Sequence, residues 1–212
     1  MRMDREFEAA VFVTVGLELA RRAGGFAVTG VAAQAVRGRG WQPQWRTLVG
    51  VGVPPVGSAA GQPGGRATAW VDSTGAALAV VEQRVTSEHH VLVVRKTGSV
   101  TATLWTERAS CPRLASLAEW DALRLAEVAC PWVTELSEAA LARALDVALP
   151  SRDAGVAQQV LATSQICRRA LERGAADGRW STLRQVGERA GRAPRRVEEH
   201  FLHRGPEQIE LF

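Results

Sequence analysis

The sequence predicts an α+β architecture: an antiparallel sheet with packed helices over residues 1–150, then a small all-α unit over residues 151–212. Three observations carry this expectation. Between residues 67 and 107, short runs rich in Val, Thr, Leu and Trp alternate with the turn-forming stretches Asp72–Gly75 and Lys96–Gly98, the usual pattern of antiparallel strands. From Pro112 onward the pattern becomes Ala-, Leu- and Glu-rich with helical spacing. Finally, seven arginines against three glutamates crowd residues 179–204.

Size and composition set the bounds. A chain of 212 residues fits one large domain or two small ones. With 46% hydrophobic and 23% charged residues it is ordinary globular material, which excludes a collagenous, disordered or disulfide-built chain. The net charge of +4 permits a nucleic-acid partner without demanding one. Lys96 is the sole lysine, and there is no Tyr or Asn, so arginine enrichment by itself reflects a GC-rich coding bias. Residues 1–50, 51–150 and 151–212 carry net charges of +3, −2 and +3, so the positive density lies at the two ends.

Taken in order, Phe7, Val11, Val15 and Leu19 fall at i, i+4 spacing and predict an amphipathic helix closed by Gly24-Gly25. Phe26–Val36 and Leu48–Val53 read as two strands around the basic turn Arg37–Trp41. The Gly-, Pro- and Ser-rich run 54–66 predicts a mobile loop. Four strands are then expected at Ala67–Val71, Ala76–Gln83, His90–Arg95 and Val100–Thr106, with turns at Asp72–Gly75 and Lys96–Gly98. Their spacing favours a meander over helical crossovers. Leu114, Leu117, Trp120, Leu123 and Leu125 mark a helix, and Glu135–Ala148 a second one. Pro150 and the stretch 151–155 mark the domain boundary.

The C-terminal unit carries the chemistry. Ser181 or Thr182 can cap a short helix with Leu183, Val186 and Ala190 inward. Gly191 suits the left-handed end of that helix, and Pro194 the first turn of the next, whose inward face is Val197 and Phe201. Gly187 supplies a small residue where two helices cross closely. Together these features describe a helix-turn-helix. The string Thr182-Leu-Arg-Gln-Val-Gly-Glu-Arg-Ala-Gly191, followed by a helix ending in His200-Phe201, resembles the DNA-binding segment of TetR-type repressors, with AraC-type regulators a weaker match. The helix Val160–Gly174 is similar to the first helix of that domain, so the resemblance covers residues 156–212.

That resemblance implies a bacterial-type, sequence-specific transcriptional regulator. Arg192, Arg195, Arg196 and His200 would then enter the major groove, where an arginine fork bonds guanine O6 and N7 together. Thr182, Arg184 and Arg204 would hold phosphates. The partners implied are double-stranded DNA and a second copy of the chain, because one short helix reads few base pairs. Residues 1–150 would serve ligand sensing, dimerisation or partner docking, with a protein or small molecule as effector. The sequence departs from the family in four ways: the segment lies at the C-terminal end, Arg192 stands where an apolar residue usually follows the turn glycine, Ala193 replaces the usual Ser or Thr cap, and Glu198 and Glu199 would face the phosphates. These departures define the alternative, a protein-interaction or assembly module whose helix-turn-helix no longer binds DNA.

A secondary basic and aromatic patch comprises Arg37, Arg39, Trp41, Trp45 and Arg46, residue types that stack on bases and grip a backbone. Other constellations fall away. His89-His90 lacks a converging Cys, Asp or Glu cluster. Gly50-Val-Gly52 lacks the third glycine and acidic partner of a dinucleotide fingerprint. No Gly-x-Ser-x-Gly elbow occurs. Cys111, Cys130 and Cys167 are too far apart for a zinc ribbon. The expectation is therefore a non-enzyme with no metal and no cofactor. The apolar stretch Ala9–Ala20 contains Glu18 and is too short to span a bilayer, so the chain reads as cytoplasmic, with no membrane partner.

Overall fold

A computed structural model describes residues 5–23, 25–53, 67–96, 98–151 and 153–190. The helix α1 (Arg5–Ala9) leads into β1 (Val11–Arg22), and β2 (Gly25–Arg37) returns beside it. A single 3₁₀ turn at Arg39–Trp41 precedes β3 (Gln42–Val51). Next come β4 (Ala69–Val71), α2 (Thr74–Glu82), β5 (His89–Val94), α3 (Ser99–Thr106), α4 (Pro112–Ser116), β6 (Ala118–Asp121) and α5 (Ala122–Ala129). The helices α6 (Glu138–Ala144), α7 (Val156–Ala176) and α8 (Leu183–Ala190) follow.

The six strands form one sheet in the order β4-β3-β2-β1-β5-β6. β2 is antiparallel to both β1 and β3, whereas β3–β4, β1–β5 and β5–β6 are parallel. The sheet is therefore mixed, and only its central hairpins match the expected antiparallel form. The expected meander over 67–107 is replaced by two strand–helix units. Ser73 and its neighbours are not a hairpin turn: the Ser73 side chain accepts a hydrogen bond from the Ala76 N–H (3.2 Å) and caps α2. Nine residues of helix suffice to carry the chain from the β4 edge across to β5, on the far side of β1.

Two further expectations are corrected. The stretch Val11–Arg22 is a strand, not a helix, because Val11, Val13 and Val15 alternate into one core while Phe12 enters the opposite one. The run after Pro112 is broken by β6, which places Trp120 in the sheet. Its following helix is fixed by the Asp121 side chain, which accepts from the Leu123 and Arg124 N–H groups.

Helices cover both faces. On one side α2, α3 and α4 close over Val11, Val13, Val15, Val31, Ala33, Val49, Leu92 and Val94. Glu82, at the end of α2, accepts the Arg113 and Leu114 N–H groups (2.9 Å each), tying α2 to the first turn of α4. On the other side α5, α6, α7 and α8 bury Phe12, Val36, Val91, Val93 and Trp120. Gly16 lets α7 come close: a Cβ there would lie 2.8 Å from Val160 and 3.0 Å from Val156. Since α7 and α8 join this same core, no separate C-terminal domain is evident among the described residues. Residues 54–66, expected as a loop, lie outside them.

Candidate functional site

The C-terminal constellation begins on α7, which spans the expected Val160–Gly174 helix and extends it at both ends. Trp180 then folds back. Its ring is 1% exposed, its Nε1–H donates to the Leu171 carbonyl (3.1 Å), and a Cβ on Gly174 would meet it at 1.9 Å. The Thr182 hydroxyl accepts from the Gln185 N–H (3.2 Å), while the Gln185 side chain accepts from the Ser181 N–H (2.7 Å), so the start of α8 is capped as its residues suggest. Val186 is buried, and a Cβ on Gly187 would lie 3.6 Å from the Trp120 Nε1 of β6; the second helix expected at this crossing lies outside the described residues.

The outward face of α8 carries Arg184, Glu188 and Arg189, with Arg184 Nε 3.7 Å from Glu188. Arg192, Arg195, Arg196, His200 and Arg204 lie outside the described residues. Of the seven residues expected at the DNA, the structure thus describes Thr182 and Arg184. Thr182 is occupied in capping α8, and Arg184 is exposed.

The secondary patch is divided between the two faces of the sheet. Trp41 stacks on Phe12 (centroids 5.1 Å apart) and packs against the α5–α8 core. Trp45 packs against the α2–α4 core, where its Nε1–H donates to His89 Nε2 (3.3 Å). Arg37 pairs with Glu88 at 3.3 Å, and Arg39 is exposed on the 3₁₀ turn. Arg46 stands apart from all four, on β3 beside α7, and makes no hydrogen bond or ion pair among the described residues.

Two clefts flank α7. One, of about 180 Å³, lies just beyond the last β1–β5 pairing and is lined by Gly16, Arg95, Lys96, Ser99, Gln159 and Thr163. It occupies the place where open α/β sheets bind ligands, outside the carboxyl ends of strands where the strand order reverses. Arg95 there is already paired with Glu138. The other, of about 290 Å³, lies between β2–β3 and the first turns of α7, and its lining includes Ala32, Gln34, Arg46, Ala157, Val160 and Leu161.

Gln34 is 3% exposed, and its Oε1 has no hydrogen-bond partner among the described residues. Register puts Thr14, Gln34 and Arg46 in one row across β1, β2 and β3. The Thr14 Oγ1 and the Ser164 Oγ of α7 are likewise buried without partners among the described residues. These buried polar groups were missed by sequence reasoning. The only available signal was a lone Gln within the Val- and Ala-rich strand Gly25–Arg37.

Among the described residues, no three His, Cys, Asp or Glu side chains converge as a metal site would require. The thiols are buried. Burial pushes Cys167 up to about 12; burial, with Glu82 and Glu107 nearby, pushes Cys111 up to about 11; and burial also raises Cys130. No described helix is long and apolar enough to cross a membrane. No protein-family model and no curated protein matches the chain.

Proposed function

We propose that the chain is a sequence-specific DNA-binding transcriptional regulator of bacterial type, acting as a homodimer through its basic C-terminal segment. One observation carries this reading: the arginine-dense interval 179–204 starts on a rigid base. Trp180 and Val186 seat α8 on the α/β body while Arg184 and Arg189 stay in solvent. A fixed base lowers the ordering cost of presenting cations to phosphate. In this reading Arg192, Arg195, Arg196 and His200 meet the bases, and the α/β body senses an effector or mediates dimerisation.

A second reading is a protein-interaction module without DNA binding. The Arg184–Glu188 pair on α8 favours it, because it cancels charge on the face that would approach phosphates. Titrating the full chain into a labelled mixed-sequence duplex over a salt series, read by fluorescence anisotropy, separates the two. Phosphate neutralisation makes the logarithm of affinity fall with the logarithm of salt by about 0.9 per contact, so Arg195→Ala/Arg196→Ala should lower affinity and flatten that slope. Absence of binding even at low salt would favour the interaction module.

A further inference from the structure

We infer that the arm formed by the outer ends of β1 and β2 pairs edge to edge with the same arm of a second copy of the chain. β5 pairs with β1 only as far as Thr14, and β3 pairs with β2 only from Gly30. Beyond those points, residues 18–22 and 25–29 lack strand neighbours on their outer sides among the described residues. Their pairing is internal to the arm: Leu19↔Val28, Ala20↔Ala27, Arg21↔Phe26 and Arg22↔Gly25. Opposite residues on paired strands share a face, so Leu17, Leu19, Phe26 and Val28 form one stripe. Leu17 and Val28 still touch the α2–α4 core, while Leu19 and Phe26 are 43% and 61% exposed. A free strand edge backed by an apolar stripe is a template for another strand.

The register selects the edge, and the charges select the occupant. Glu18 pairs with Gly30 and Leu19 with Val28, so Thr29 is an extra residue on β2. A bulge of this kind spoils an edge for further pairing. β1 carries no extra residue there, and its outer edge is the one open to a partner. Glu18 and Arg22 lie on the face away from the apolar stripe, and neither side chain has an ion pair among the described residues. In an antiparallel pair about a two-fold axis at Ala20, Glu18 of each copy stands opposite Arg22 of the other. A one-residue slip would lose both pairs and set the apolar stripe of one copy beside the charged face of the other. The contact is thus a four-stranded ribbon with both stripes on one side. DNA is the poorer occupant, because Glu18 would meet its phosphates and the strand edge would go unused. The inference rests on the homodimer of the proposed function, not on its DNA binding.

Cysteine cross-linking of the full chain tests it. The native thiols Cys111, Cys130 and Cys167 are buried, so a new thiol on the arm reports alone. Ala20 lies opposite itself across the axis, at a spacing a disulfide can bridge. Oxidised Ala20→Cys should give a covalent dimer on a non-reducing gel, about tenfold faster than Ala27→Cys on the β2 edge. In the Ala20→Cys background, Glu18→Arg or Arg22→Glu should slow cross-linking about fivefold, and the two together should restore it to within about twofold. These positions lie outside the hydrophobic clusters, so thermal midpoints should match the native one. Cross-linking of Ala27→Cys as fast as Ala20→Cys would overturn the proposal, as would failure of the double reversal to restore it. An uncross-linked Ala20→Cys combined with weaker duplex binding in Arg22→Ala would assign the arm to DNA instead. A native dimer by light scattering without the Ala20→Cys cross-link would overturn the arm and leave a dimeric regulator standing. A cross-linked dimer that binds no DNA would support the arm and remove the regulator.

Discussion

The two faces of the sheet are built differently. Under α2, α3 and α4 the sheet presents Val11, Val13, Val15, Val31, Ala33, Ala35 and Val49 to Leu78, Val81, Leu104 and Leu114, a continuous apolar layer. Under α5–α8 the apolar surface is divided. One cluster gathers around Phe12, Trp120 and Trp180, and a smaller one around Ala32, Val156 and Val160. Thr14, Gln34, Thr163 and Ser164 are buried polar residues on the strands and helix that bound these two clusters, and of these Thr163 donates its hydroxyl to the Gln159 carbonyl. Each buried polar atom without a partner among the described residues opposes folding. The first face is a nearly continuous apolar layer, whereas the second mixes apolar clusters with buried polar groups. The larger cleft lies on that second side, along α7, while the smaller one sits at the strand ends and is lined from both sides, by Val15 and Val100 as well as by Gln159 and Thr163 of α7.

The largest expected effect tests whether α7 and α8 belong to that second face. Trp180→Ala removes the ring that fills the notch at Gly174 and should cost about 3–5 kcal/mol. Because Trp180 shares a core with Phe12 and Trp120, urea unfolding followed by circular dichroism should show one transition moved to lower denaturant. Two transitions, with only one of them shifted, would mean that the C-terminal helices fold as an independent unit.

Next in size is a matched pair across the sheet. Leu78→Ala on the apolar side should lose about 2–5 kcal/mol by the same measurement. Thr14→Val, of similar shape, should stay within about 1 kcal/mol of native or exceed it, because it deletes a buried hydroxyl with no hydrogen-bond partner among the described residues. If Thr14→Val proved as costly as Leu78→Ala, the contrast between the faces would collapse. The thiols give a smaller, purely kinetic readout, since all three are buried and all three are held above the ordinary thiol range. A disulfide reagent at pH 8 should find almost no reactive thiol in the native protein and three in urea.

How far such a contrast can be read from sequence depends on what each residue needs to know. The helices α7 and α6 were legible because their apolar spacing is long or bounded by Ser137 and Pro150. β1 was not, for an instructive reason. Phe7, Val11, Val15 and Leu19 are four apart, and four is an even number, so this spacing marks one face of a strand as well as a helix. Val13 between them should have decided for the strand. α2 was lost the other way: Val80-Val81 suggested a strand, although Ser73 followed by Ala- and Leu-rich residues is a helix start. The cleft was invisible for a deeper reason. Gln34 could be seen as odd in its strand, but its pairing with Arg46 depends on strand register, and its burial depends on α7, more than 120 residues further along the chain.

His89 gives the smallest and most local test, and it belongs to the apolar face. Its Nε2 accepts from Trp45 Nε1–H (3.3 Å) and its Nδ1 accepts from the Thr86 N–H (2.9 Å), with the Thr86 hydroxyl 3.0 Å from Nδ1, so both ring nitrogens face N–H donors and the doubly protonated ring fits this setting worst. Protonating Nε2 would set one N–H against another. Burial holds the pKa of His89 below the usual 6.5; His90 adds to this, while Thr86 and Glu88 oppose it. For a base shifted in this direction, the unfolded chain takes up its proton first as the pH falls. Stability from this residue is therefore complete above pH 6.5, declines as the pH drops below it, and levels off beneath the folded pKa. Thermal midpoints at pH 8 and pH 5 should fall further in the native protein than in His89→Gln, which cannot titrate. Equal falls would show that the Trp45–His89 contact is indifferent to charge, leaving the polar seam by α7 as the part of the sheet where burial and polarity conflict.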